Sequence, residues 1–187
     1  FFNVEYAEQL NAEGYAAVVV NGMVTAKDPV ASVGDTYYAT LDEAFKAVKS
    51  NEEVLIGEAG TYNLSTSGKD ITITAVVDGV VFDNIGARGM GGANVTFNNV
   101  TFDYYPNVNY TGLQHSGNLV YNNCTFNGQV FLYGESETFN RCTFNQNDTE
   151  MYNVWTYTAK EVTFNECTFN SEGRSVLVYT DGGNTRT

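Results

Sequence analysis

Hydrophobic and polar positions alternate with a period of two in short bursts along the second half of the chain, and the bursts repeat. Four segments align without gaps: Val95-Thr-Phe-Asn-Asn-Val-Thr-Phe102, Leu119-Val-Tyr-Asn-Asn-Cys-Thr-Phe126, Glu137-Thr-Phe-Asn-Arg-Cys-Thr-Phe144 and Val162-Thr-Phe-Asn-Glu-Cys-Thr-Phe169. The position held by Val100, Cys124, Cys142 and Cys167 recurs at intervals of 24, 18 and 25 residues. A weaker relative, from Ile71 to Phe82, precedes them. Each segment reads as two short strands, with Cys124 and Phe126 pointing in and Thr125 pointing out. The break is expected at Asn98, Asn122, Asn140 and Asn165, because Asn tolerates left-handed backbone and makes local side-chain bonds. Stacking such segments would place the Asn side chains in a ladder. Phe102, Phe126, Phe144 and Phe169 would then form one inner column, and Val100 and the three Cys another.

A third apolar run follows each pair: Val130-Phe-Leu-Tyr133, Val154-Trp-Thr-Tyr157 and Val176-Leu-Val-Tyr179, with a weaker version from Leu113 to His115. Three short strands in each of these units predict a parallel β-helix, a solenoid whose coils stack about 4.8 Å apart. The β-branched, aromatic and Asn content argues against helical repeats. A β-sandwich would not need the same tripeptide at the same place in each unit.

Residues 1–60 differ in texture: they hold ten of the 22 acidic residues and no copy of the repeat. Tyr6 to Ala12 fits one or two helical turns, and Ala16 to Thr25 a hairpin turning at Asn21-Gly22. Thr40-Leu-Asp-Glu43 is a capping box that opens an amphipathic helix from Leu41 to Lys49, with Leu41, Ala44, Phe45 and Val48 on one face. Glu53 to Gly57 reads as a buried strand, and Ala59 to Leu64 leads into the solenoid. The end of a solenoid exposes its core, so this helix is expected to be the N-terminal cap. The chain divides on this reading into a hairpin and linker (1–33), cap helix and first coil (34–66) and solenoid coils (67–187). Both ends read as cut from a longer chain, the C-terminal end within the solenoid, and no targeting peptide is visible at Phe1.

Tyr38-Ala-Thr-Leu-Asp-Glu-Ala-Phe-Lys-Ala-Val-Lys49, with Val54-Leu-Ile56 and Gly60-Thr-Tyr-Asn-Leu64, resembles the entry to pectin-lyase-like right-handed parallel β-helix domains. It is most similar to versions in large surface proteins of Gram-positive gut bacteria. The resemblance covers roughly residues 35–187. It implies an all-β, right-handed parallel β-helix and an extracellular, cell-surface location.

Composition narrows the function classes. Acidic residues outnumber basic ones 22 to 9, for a net charge of -13. Phosphate neutralisation needs clustered Lys and Arg, so nucleic acid is not an expected partner, nor is an anionic membrane surface. No apolar run is long enough to span a bilayer. Apolar residues at 43% and aromatic residues at 14% exclude a disordered chain. The three Cys lack C-x-x-C spacing and are expected to be buried, unreacted thiols. No metal or cofactor is expected.

Enzymes of the resembled superfamily use acidic calcium ligands with a basic proton acceptor, or paired carboxylates. The nearest candidates in this chain are Asp78 with Asp83, Glu135 with Glu137, and Asp148 with Glu150. None forms the adjacent Asp pair or Gly-His-Gly that resemblance to polygalacturonases would require. The basic candidates are Arg88, Arg141, Lys160 and Arg174, and Arg141 would pair with Glu166 across coils. The carboxylates therefore read as a solvated loop rim, and no catalytic residue is assigned. Gly86 to Gly92 lacks the following helix and Lys-Ser/Thr of a phosphate loop. His115, the only histidine, reads as a surface strand residue.

The third strand carries the remaining signal. If Val130, Leu132, Val154, Thr156, Val176 and Val178 face inward, then Phe131, Tyr133, Trp155, Tyr157, Leu177 and Tyr179 face outward, with His115 in line on the preceding coil. Exposed aromatic patches mark interfaces. The expected function is a non-catalytic binding or adhesive module that engages a host protein or glycoprotein, such as a secreted antibody, through this face. The alternatives are a carbohydrate-active domain, catalytic or glycan-binding, and a structural spacer whose rings only stack on one another.

Overall fold

The computed structural model describes residues 3–66, 68–83, 88–89, 93–105, 111–114 and 117–179. Its body is a β-solenoid of about five turns with parallel stacked sheets. The first sheet stacks Glu52–Ile56, Ile71–Ala75, Val95–Asn98, Asn118–Asn122, Ser136–Asn140 and Glu161–Asn165 in parallel. The second stacks Gly60–Tyr62, Val80–Asp83, Thr101–Asp103, Thr125–Asn127, Thr143–Gln146 and Thr168–Ser171 in parallel. The third contains Val130–Phe131, Tyr152–Trp155 and Arg174–Leu177, and a separate pair joins Arg88–Gly89 to Leu113–Gln114.

The gapless alignment of the repeats is the strand register. Val95 pairs with Leu119, Leu119 with Glu137 and Glu137 with Val162. Phe102, Phe126, Phe144 and Phe169 are likewise in register, and their rings stack at 5.0, 4.8 and 4.9 Å. A second column of Phe97, Tyr121, Phe139 and Phe164 stacks at 5.3, 4.7 and 5.2 Å. Within each coil the two columns meet edge to face, as for Phe97 with Phe102 at 5.2 Å and Tyr121 with Phe126 at 5.2 Å. Offset stacks and edge contacts both satisfy the ring quadrupoles, so this core gains more than its buried area alone.

The corner lies one residue later than expected. Asn99, Asn123, Arg141 and Glu166 adopt the left-handed backbone, with φ of 59°, 53°, 52° and 54°. The preceding Asn ends the first-sheet strand and builds the ladder instead. Asn122 Nδ2 donates to Asn98 Oδ1, Asn140 Nδ2 to Asn122 Oδ1 and Asn165 Nδ2 to Asn140 Oδ1, at 2.8, 2.8 and 2.7 Å. A second ladder, from Asn170 to Asn145 to Asn127, closes the second-sheet strands at 2.9 Å per bond.

The N-terminal part holds two helices. α1 (Val4–Ala12) is N-capped by the Asn3 side chain, and the Ala16–Val20/Met23–Lys27 hairpin turns at Asn21 and Gly22, both with positive φ. α2 (Leu41–Ala47) opens with the expected capping box of Thr40 and Glu43. It ends before Lys49 because Val48 leaves the helical region, at ψ 139°. Leu41, Ala44, Phe45 and Val48 join the same buried core as the coils. Lys69, from the segment between coils, donates to the carbonyls of Phe45, Lys46 and Val48, so a cation meets the negative end of the helix. An unexpected hairpin, Ala31–Val33 with Thr36–Tyr38, pairs antiparallel to Glu52–Ile56 and covers the outer edge of the first sheet.

At the far end of the described residues the inner columns are less covered. Phe164, Phe169, Val162 and Val176 are only half-buried, and Val178 is 66% exposed. With Ala159 they line an apolar cavity of about 420 Å³. Val178 lies on the inward side, as expected, but no further coil lies over it among the described residues.

Candidate functional site

The third sheet has the expected parity. Val130, Leu132 and Val154 belong to the solenoid core, and Thr156 is buried beside them. The alternate side chains form a continuous ring ladder on the other face. Phe131 stacks on Trp155 at 5.0 Å and meets Tyr157 edge-on at 5.8 Å. Tyr133 meets Tyr157 at 5.4 Å, and Tyr179 contacts both Trp155 and Tyr157, at 5.9 and 5.8 Å. At the edge of the ladder the Arg174 guanidinium lies 5.3 Å above the Tyr152 ring.

Exposure divides the expected site in two. Phe131 and Tyr133 are 3% and 8% exposed, so they are not presented to solvent as the sequence suggested. The reason is crowding: neighbouring rings cover them, and Thr111 runs alongside, its carbonyl accepting from the Phe131 N–H. Leu113 is buried in the solenoid core. Trp155, Tyr157, Leu177 and Tyr179 are half-buried and form the open part of the face. His115 lies outside the described residues. The Trp155 Nε1–H is buried with no hydrogen-bond partner among the described residues, an omission that costs roughly 1–3 kcal/mol.

Glu137 departs most from the sequence reading. It is not part of a solvated rim; it lies inside the solenoid, 2% exposed, in the column otherwise held by Val95, Leu119 and Val162. Its Oε1 accepts the backbone N–H groups of Tyr133 and Gly134 at 2.9 and 2.8 Å, and its Oε2 accepts from the Tyr121 hydroxyl at 3.4 Å. Burial pushes its pKa up from 4.5 to about 7, although these three hydrogen bonds pull the other way. Burial also pushes the nearby Tyr104 and Tyr121 phenols well above their ordinary range. The carboxylate thus ties down the end of the third strand from within.

The other acidic candidates are peripheral. Glu135 forms an exposed ion pair with Lys160 at 2.8 Å, not the anticipated Arg141–Glu166 pair. Arg141 Nε instead donates to Asn123 Oδ1 at 3.0 Å. Asp148 accepts from the Glu150 N–H within its own loop, and the Glu150 carbonyl accepts from Arg174. Among the described residues, no three His, Cys, Asp or Glu side chains converge as a metal-ligand set.

A second concavity went unnoticed in the sequence. It encloses about 540 Å³ at the C-terminal end of the second-sheet strands and is lined by Tyr105, Asn145, Asn147, Asn170, Ser171 and Glu172. The Tyr105 hydroxyl reaches along the solenoid axis to donate to the Asn145 carbonyl at 3.3 Å. Asn145 and Asn170 are in-register members of the repeat, but Tyr105, two coils earlier, joins them only through the stacking of the coils, which no local motif announces.

No helix among the described residues is long and apolar enough to cross a membrane. No family model, curated protein or solved structure matches the chain.

Proposed function

We propose that the chain is a non-catalytic binding module of a bacterial surface protein, pectin-lyase-like in its coil, and that it engages a host macromolecule through the outer face of its third sheet. The observation that carries this reading is the half-exposed ladder of Trp155, Tyr157 and Tyr179, with Leu177 beside it and Phe131 and Tyr133 packed behind it. Rings held by rings lose little side-chain entropy on binding, and Trp and Tyr are the residues on which binding energy concentrates. A sheet face of this kind suits a protein surface, such as a secreted glycoprotein or antibody, better than a small ligand, which binds in a concave cleft. The acidic chain favours a partner with a neutral or basic contact patch.

A pull-down from mucosal secretions would identify the partner. A Trp155→Ala, Tyr157→Ala double variant should then bind it about 30-fold or more weakly, as expected when hot-spot aromatics are removed. An unchanged far-UV spectrum and melting transition would control for folding. A folded double variant that binds as tightly as the parent would sink this reading. A second reading, glycan binding, is favoured by the concavity at Tyr105, where an aromatic ring adjoins amide, hydroxyl and carboxylate side chains. A glycan array would register it, with the signal lost in Tyr105→Ala and kept in the third-sheet variant.

A further inference from the structure

The repeat places a cysteine at one position in three successive coils. The flanking pairs fix the register: Asn122, Asn140 and Asn165 are aligned on one side, and Thr125, Thr143 and Thr168 on the other. Cys124, Cys142 and Cys167 therefore lie one above another at the coil spacing of about 4.8 Å. That spacing falls within the Cα separation a disulfide tolerates, roughly 4.4–6.8 Å. All three thiols are free.

Their side chains share one orientation. Cys124 Sγ donates to the carbonyls of Asn122 and Phe97 at 3.4 and 3.5 Å. Cys142 Sγ repeats this with Asn140 and Tyr121 at 3.6 and 3.4 Å, and Cys167 Sγ with Asn165 and Phe139 at 3.5 and 3.4 Å. The column is graded in access. Cys124 and Cys142 are buried, whereas Cys167, in the last coil of the described residues, is half-buried.

We propose that Cys142 and Cys167 are an oxidation site, which a low-molecular-weight disulfide converts to a disulfide bridging the last two coils. In the first step the Cys167 thiolate attacks one sulfur of the small disulfide. A protein–small-molecule mixed disulfide forms, and one small thiolate leaves and takes up the proton that Cys167 lost. In the second step the Cys142 thiolate attacks Cys167 Sγ, the Cys142–Cys167 bond forms, and the second small thiol departs with the other proton. Two protein thiols are oxidised, and one small disulfide is reduced to two thiols.

Access and register assign these roles. Cys167 is the least buried of the three and so the thiol an external reagent reaches first, while partial burial holds it above the usual thiol range, which is why an alkaline medium is needed. Cys142 is the next thiol in the column, one coil from Cys167, and is therefore the one placed to resolve the mixed disulfide. Burial holds Cys124 well above that range, so it remains a thiol. The bridge would close a 25-residue loop between two neighbouring coils.

The test is incubation of the folded protein with oxidised glutathione at pH 8, followed by alkylation and peptide mass spectrometry. The expected product has lost two hydrogens, contains a linked Cys142–Cys167 peptide pair and leaves Cys124 to alkylate only after unfolding. Its denaturation midpoint should rise, and reductant should reverse the rise. Cys124→Ser should form the same bridge, and Cys142→Ser should stop at the glutathione adduct on Cys167. An adduct on Cys167 that never resolves in the folded parent protein would overturn the proposal. So would a bridge that appears only under denaturing conditions.

Discussion

Replacing Glu137 by Gln should remove a pH dependence from the stability of this protein. Glu137 has Tyr121, Tyr104, Tyr133 and Gly134 around it, with no cation among these neighbours, and its pKa rises from 4.5 unfolded to about 7 folded. Between those values the folded state holds a proton that the unfolded state has lost. Stability from this group is therefore fully present below pH 4.5, declines as pH rises and is gone above about pH 7. A displacement of this size at 1.36 kcal/mol per unit amounts to about 3 kcal/mol. Gln keeps the shape and the acceptor for the Tyr133 and Gly134 N–H groups, and its amide can face the Tyr121 hydroxyl. Urea denaturation from pH 4 to pH 8 is the assay. The variant should match the parent near pH 4 and exceed it by about 3 kcal/mol at pH 8, with an unchanged m-value. Parallel stability curves for the two proteins would refute the assignment of a buried, partly protonated carboxyl.

Two further substitutions test the fold's corners and its helix. Glu166 is exposed and holds a left-handed backbone at φ 54°, so Glu166→Asn should stabilise by roughly 0.5–1 kcal/mol, read as a higher urea midpoint. No gain would mean that this corner is not strained. Lys69→Met removes a cation that donates to three carbonyls at the end of α2 and should cost about 1–2 kcal/mol. Hydrogen exchange should localise that loss to 41–48, and uniform loosening across the coils would contradict it.

The solenoid was legible because its signal is repeated. Each Phe, Cys and Asn of the motif occurs several times at one position, so the alignment alone yields the register that stacks Val95, Leu119, Glu137 and Val162 in one column. The corner was misplaced by one residue because Asn occurs twice in succession at 98–99 and 122–123, and only Arg141 and Glu166 reveal which member turns. Those two residues have no intrinsic preference for left-handed backbone, so propensity pointed to the wrong member. The aromatic face was legible in parity but not in exposure. Alternation reports which side of a sheet a ring occupies and says nothing of the rings and loops stacked over it, which is why Phe131 and Tyr133 proved to be covered.

Glu137 was misread for a related reason, and coil length explains why a carboxylate is tolerated there. Asn127 to Val130 spans three residues, whereas the equivalent stretch one coil later, Asn145 to Val154, spans nine. The shorter coil passes from Tyr133 to Ser136 through Gly134 and Glu135 alone. So abrupt a turn leaves the N–H groups of Tyr133 and Gly134 pointing inward, away from water. Glu137 Oε1 accepts both. A Val or Leu at this position, as in the neighbouring coils, would remove the acceptor that both N–H groups share, a loss of roughly 1–3 kcal/mol per buried donor. That cost is comparable to or larger than the cost of burying a carboxyl that can take up a proton. The same tether holds the end of the strand that carries Phe131 and Tyr133, the rings on which Trp155 and Tyr157 rest. The shape of the proposed binding face is thus set, in part, by one acid inside the core.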